Sequence, residues 1–262
     1  MSPKLPHLRA ATLSLLTLPA AWAQTNPVND SGIDFCREHA SGADTAISAS
    51  TTCTPLPTHG GQDARYGRDA AAAKGVLPKV GAGAKGFDYT KISHSGATLP
   101  ASAVLGTGAG DWACTYDNHT GLMWEVKVDD ASHLRHKDHT YSWYFSANSH
   151  GGPGVASSGA CLTAGRCDTE KFAQDVNAVG LCGHNDWRLP TMQELYNLAD
   201  RGSATGAIDF DYFPYTPAMQ FWSASPMARV AGNAWTVRFL DGANGWTSRG
   251  GALRVRLVRT GL

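Results

Sequence analysis

A chain of 262 residues allows one large domain or two small ones, and its 22 basic and 22 acidic side chains cancel to a formal net charge of zero. Lys and Arg are scattered, so the sequence lacks the clustered basic face with which a nucleic-acid-binding protein displaces counterions from phosphates. With 42% hydrophobic and 17% charged residues, it supports a packed core under a mostly uncharged polar surface, and its 29 glycines forecast many turns.

The N terminus reads as a secretory signal peptide over residues 1–23. Lys4 and Arg9 give a basic start, residues 10–18 an apolar run, and Ala21-Trp22-Ala23 a small-x-small cleavage site. Cleavage after Ala23 implies a secreted or periplasmic protein. The apolar run is well short of the roughly 20 residues that cross a bilayer, and no later run is longer, so no membrane span is expected. Gln24 follows the cut and the first thiol is Cys36, which argues against a lipid anchor on a new N-terminal cysteine.

Residues 24–110 form a loop-rich Gly/Ala segment, expected to be clamped onto a better core by Tyr66, Phe87, Tyr89 and a Cys36–Cys53 pair. The tryptophans are dense only from Asp111 onward, which places the core domain at 111–262. Asp168 precedes a helix expected over 169–179, with Phe172, Val176 and Val179 at helical spacing and Gly180 as its stop. Thr191 and Glu194 have the spacing of a capping box, which predicts a second helix to about Asp200, ending at Gly202. The period then changes to two. Trp235, Val237 and Phe239 share one strand face, Asp241-Gly242 offers a turn, residues 245–248 return, and Leu253, Val255 and Leu257 alternate with Arg254 and Arg256 in a last strand. With residues 221–223 as another strand, this is an α+β chain with a small, mostly antiparallel sheet.

Six cysteines outside the cytosol form three bridges most simply, and fifteen pairings are open. Cys36–Cys53 and Cys161–Cys167 bracket short loops, which leaves Cys114–Cys182 as a long link. The absence of C-x₂-C spacing argues against zinc. His133, His136 and His139, beside Asp129, Asp130 and Asp138, would share one face of a helix, but a solvated loop is the stronger reading and no metal or cofactor is expected. Asp209 and Asp211 read as turn formers rather than an acid/base pair or calcium ligands. Asp186 and Arg188 flank Trp187 and read as hydrogen-bonding groups that fix a loop before a capped helix. No nucleophile elbow, H-E-x-x-H or phosphate-binding loop is present, so the chain does not read as an enzyme.

The segments "DNHTGLMWEVK" (117–127, containing Trp124), "GLCGHNDWRLPTMQEL" (180–195, containing Asp186, Trp187, Arg188, Pro190, Thr191 and Glu194), "AIDFDYFP" (207–214), "FWSASP" (221–226, containing Trp222), "AWTVRF" (234–239, containing Trp235) and "VRLVR" (255–259) together resemble the bacterial Lcl C-terminal domain family. The resemblance covers 111–262, with "GQDARYGRDA" (61–70) and "GFDYTKI" (86–92) similar to the lead-in of longer secreted members. It implies a C-type-lectin-like fold related to that of the formylglycine-generating enzyme, with two helices, a small twisted sheet and ligand-displaying loops. It also implies glycosaminoglycan binding or loop-based ligand recognition. In the enzyme branch catalysis depends on cysteines that hold copper, whereas here the cysteines are expected in bridges. The stretch "LDGANGWTSRGGALR" departs from the Tyr/Asn-rich segment that often precedes the closing V-R-L-V-R.

A secreted, non-catalytic binding module for a polysaccharide or another surface polymer is therefore expected. Trp246 would stack on a sugar, and Arg229, Arg249 and Arg254 would pair with anionic groups. The alternatives are a structural subunit of a surface appendage, with oligomers possible, and an enzyme of the formylglycine-generating-enzyme-like fold.

Overall fold

The computed structural model describes residues 29–37, 44–46, 66–148 and 150–262; the leader read over 1–23 and Cys53 lie outside the described residues. The chain begins with β1 (Phe35–Arg37) and β2 (Asp44–Ala46), an antiparallel pair, followed by the short helix α1 (Arg68–Ala73). Next come β3 (Tyr89–Ser93), β4 (Thr98–Leu99), β5 (Trp112–Asp117) and β6 (Leu122–Glu125). Helix α2 (Thr169–Ala178) and helix α3 (Met192–Tyr196) precede β7 (Gln220–Pro226), β8 (Asn233–Arg238), β9 (Asn244–Ser248) and β10 (Val258–Thr260). The architecture is mixed, with few helices and antiparallel sheets. Besides the β1-β2 pair there are two larger sheets among the described residues, one of order β10-β6-β5-β3-β4 and one of order β7-β8-β9. Among the described residues no helix is long and apolar enough to cross a membrane.

Both sheets send alternate side chains into two apolar clusters, as a pleat with both faces covered must. Met123, Cys114, Ile92, Trp222 and Ala234 join one cluster with α2 residues Phe172 and Val176. Leu122, Trp124, Tyr89, Phe221, Val237 and Phe239 join the other with Leu195 of α3. Because β3 pairs with β5, the larger sheet runs across residue 110. Phe87 and Tyr89 are buried as expected of clamps, but Tyr66 is 69% exposed. Polar bonds complete the attachment: Asn29 Nδ2 donates to Asp117 at 2.7 Å, and Lys85 Nζ donates to the Gly32 carbonyl at 2.7 Å and to Asp200 at 2.9 Å.

Helix α2 starts where the sequence predicts, with the Asp168 side chain accepting from Lys171 N, and the chain turns left-handed at Gly180. The capping box of Thr191 and Glu194 is also formed. Helix α3 nevertheless ends at Tyr196 rather than near Asp200. The Asp200 carboxylate accepts from Lys85 and from Gly202 N, and Arg201 N donates to Ser31 O, so tertiary bonds draw these residues out of helical register. The hairpin around Gly242 forms, with Trp235 opposite Trp246, yet Trp235 is only half-buried while Thr236 is fully buried. The expected strand over 253–257 is broken into single bridges from Leu253 and Arg254 to Tyr141 and Phe221, and regular pairing resumes only at β10.

The break accompanies a change of direction for one arginine. Arg256 is fully buried, not on a solvent face, and it donates to the Glu125 carbonyl at 2.8 Å and to Thr216 Oγ1 at 2.7 Å. Glu125, also fully buried, lies 2.8 Å from Lys127 Nζ and accepts from Leu257 N at 3.0 Å. Lys127 in turn sits 4.6 Å over the Phe172 ring of α2. Burial lowers its pKa from the ordinary lysine range to about 8, against the raising effect of Glu125.

Cys114–Cys182 closes a 68-residue interval and Cys161–Cys167 one of 6. In the chain-entropy treatment, replacing the first pair with alanines costs about 4 kcal/mol and the second about 2 kcal/mol. Guanidinium unfolding without reductant checks the ranking. Between pH 8 and the ordinary lysine value, Lys127 is neutral in the native state and protonated in the unfolded one. Unfolding then takes up a proton, so stability rises with pH across that window. Relative to Lys127→Met, the wild type should gain stability as pH rises from 8 towards 10; a pH-independent difference contradicts the assignment.

Candidate functional site

The segment 141–150 carries four aromatic side chains in five positions: Tyr141, Trp143, Tyr144 and Phe145. Tyr141 and Trp143, two apart on locally extended backbone, enter the core, while Tyr144 is half-buried and Phe145 is exposed. Opposite this segment lies α2, and the loop 187–191 leads from Trp187 to the cap of α3. Between them is a cavity of about 520 Å³. Its walls are largely apolar, with Trp143, Phe145, Ala173, Trp187, Leu189 and Ala224 forming the floor and sides.

Each wall is fixed by hydrogen bonds. Trp143 Nε1 donates to Ser223 O at 2.9 Å and Trp187 Nε1 to Leu181 O at 3.0 Å. Asn177 of α2 binds the Trp187 backbone from both sides, donating to its carbonyl at 2.9 Å and accepting from its N–H at 2.8 Å. Arg188 makes a bidentate pair with Glu194 at 2.8 and 2.7 Å, which raises the arginine pKa and helps hold the carboxyl below its usual range although burial opposes this. Glu194 also accepts from Thr191 N at 2.8 Å. Asp186 faces away from the cavity loop and pairs with Arg259 at 2.6 Å. At the cavity lip Glu170 accepts from Ser146 N at 2.6 Å and, weakly, from Gln174 at 3.5 Å.

The residues expected to contact ligand differ in how far the protein itself engages them. Trp246 is 52% exposed on the edge strand β9, and Arg229 is exposed. Arg249 is buried: its guanidinium lies 4.1 Å over the Trp143 ring and donates to the carbonyls of His150 and Gly152, both at 2.7 Å. It therefore braces the cavity wall from behind. Arg254 is mostly buried and 3.4 Å from Asp138. Of the three arginines expected to grip an anion, only Arg229 lacks a protein partner among the described contacts.

The histidine trio lies in successive turns, not on a helix. His133 Nδ1 accepts from Arg135 N, while His139 Nε2 is 3.1 Å from His133 O and packs edge-on against His136. Among the described residues no group of His, Cys, Asp and Glu is placed to hold a metal ion. Asp209 accepts from Ala84 N at 2.8 Å and Asp211 N at 3.0 Å, and burial raises its pKa; Asp211 is exposed. The cavity-lining residues Trp143, Tyr144, Phe145, His150, Glu170 and Gln174 are not among those that the sequence marks as ligand contacts. The aromatic run over 141–145 was the available signal, since two outward aromatics beside two inward ones mark a surface that water does not fully cover.

Arg249→Met should cost about 2–3 kcal/mol, from loss of charge-assisted bonds to two carbonyls and of stacking on Trp143. Arg229→Ala should stay within about 0.5 kcal/mol. Denaturant midpoints of the two variants distinguish a brace from a surface residue.

A search of the curated proteins finds no match to this chain. The family model for the Lcl C-terminal domain matches residues 113–259, which is more than half of the chain and includes Trp143, α2, Trp187 and Ala224 of the cavity. The chain belongs to the Lcl C-terminal domain family.

Proposed function

We propose that this chain is a secreted or periplasmic, non-catalytic binding module with a C-type-lectin-like fold, which holds a segment of polysaccharide in the cavity between α2 and residues 143–150. The cavity itself carries the reading. Its volume of about 520 Å³ lies within the range of roughly 300–1,000 Å³ usual for ligand sites, and it combines apolar walls with a few oriented polar groups. Aromatic rings suit the apolar face of a sugar, and Gln174, Thr191 and Glu170 offer hydrogen bonds to hydroxyls at the rim.

Binding rather than catalysis is supported by how the polar groups are engaged. Thr169 Oγ1 donates to Tyr144 O at 2.9 Å, and Thr191 Oγ1 accepts from Glu194 N at 3.2 Å. Neither hydroxyl sits in a hydrogen bond to a general base, which an activated nucleophile requires. Cys114 and Cys182 are joined to each other, and so are Cys161 and Cys167, which argues against the copper chemistry of the enzyme branch.

Ala173 lies on the cavity side of α2 and is only partly buried, so a larger side chain there fills the cavity without entering the core. On a glycan array at low salt, the wild type should retain at least one class of oligosaccharide, and Ala173→Trp should lose it more than about tenfold with little change in melting temperature. Equal binding by the variant, or an array without any bound glycan, contradicts the proposal.

A further inference from the structure

Resting on the cavity as ligand site, we propose that the sugar it selects is an amino sugar with a free, protonated amine, and that Glu170 is the anionic contact for that amine. Two acidic or basic side chains besides His150 line the cavity, Glu170 and Arg188. The Arg188 charge is neutralised by its bidentate pair with Glu194. Glu170 has no cationic side chain within ion-pair distance among the described contacts. Its sequence neighbour Lys171 turns the other way, to Asp168 at 3.1 Å, Ser157 Oγ at 2.8 Å and Gly165 O at 3.2 Å.

Ser146 N and Gln174 hold the Glu170 carboxylate in place, and a carboxylate accepts more bonds than these two. A ligand that covers it without supplying a positive charge desolvates an anion for no return, and a sulfated or carboxylated sugar adds repulsion. An ammonium group reverses both effects through a charge-assisted hydrogen bond. The ring electrons of Phe145 and Tyr144, which line the cavity across from α2, also favour a cation. His150 completes the wall with its ring edge-on to Phe145 at 4.6 Å and to Trp143 at 5.9 Å. The cavity is thus built against the anionic polymer that exposed arginines would select.

The test is titration calorimetry of the full chain at low salt and mildly acidic pH, with three tetramers: fully deacetylated glucosamine, N-acetylglucosamine and glucose. The deacetylated tetramer should bind at least about tenfold more tightly than the other two, and Glu170→Gln should erase that preference. Glu170→Ala, which removes the carboxylate without leaving an amide in its place, should erase it as well and provides a second variant. If the acetylated or neutral tetramer binds as well as the charged one, the amine preference is overturned while the binding-module reading stands. If none of the three binds, the amino-sugar assignment is overturned, and the array with Ala173→Trp decides separately whether the cavity binds any glycan.

Discussion

The buried carboxylate of Glu125 is the interaction on which the two halves of the fold depend. It belongs to β6, yet it receives Leu257 N from the last segment of the chain and lies against Lys127, while its own carbonyl receives Arg256. Arg256 reaches on to Thr216, and Lys127 reaches the Phe172 ring of α2. Four separate segments therefore meet around one acid. Removing one member of such a group leaves an uncompensated charge in an apolar setting, at a cost of about 3–5 kcal/mol, whereas an apolar replacement of the whole group can be neutral. The group therefore acts more as a register than as a source of stability, because the observed alignment of β6 with residues 256–258 is what brings Leu257 N to the Glu125 carboxylate and Arg256 to its carbonyl.

That alignment fixes the cavity. Once residues 254–258 are placed, Arg254 O accepts from Trp222 N and Arg188 exchanges backbone bonds with Val258. The tryptophans then lace neighbouring segments together: Trp222 Nε1 donates to Tyr141 O and Trp143 Nε1 to Ser223 O, at 2.8 and 2.9 Å. Cys114–Cys182 ties β5 to the turn that accepts the Trp187 indole at Leu181. Each wall of the cavity is thus held by the protein's own bonds, and the proposed binding role draws on such preformation, because a preformed site loses little ordering entropy.

Much of the local structure is legible in the sequence because its causes are local. The Asp168 cap, the Thr191–Glu194 box, the left-handed Gly180 and the turn at Gly242 are all set by neighbours within a few residues. What is not legible depends on distant partners. The end of α3 is decided by Lys85, more than a hundred positions away, and the inward turn of Arg256 by Glu125. Alternation marks Arg254 as a surface group, and only the folded chain brings Asp138 to it, as it brings Trp143 to Arg249. For the same reason Arg249 and Arg254, expected on a ligand face with Trp246, are held by the protein itself, and the aromatic run at 141–145 gains the importance that its density already suggests.

The arginines in the last third of the sequence carry the expectation of an anionic ligand, whereas the proposed amino-sugar contact rests on a carboxylate. Arg249 and Arg254 are engaged by the protein itself, and the cavity retains a single unneutralised carboxylate at Glu170. The most direct measurement is amide chemical-shift mapping of the labelled protein during titration with the glycan that it retains on an array. The perturbed amides should fall at 143–150, 169–177, 187–191 and Ala224. Perturbations confined to Trp246 and its neighbours on β9, with the α2 amides unmoved, contradict the cavity as the binding site.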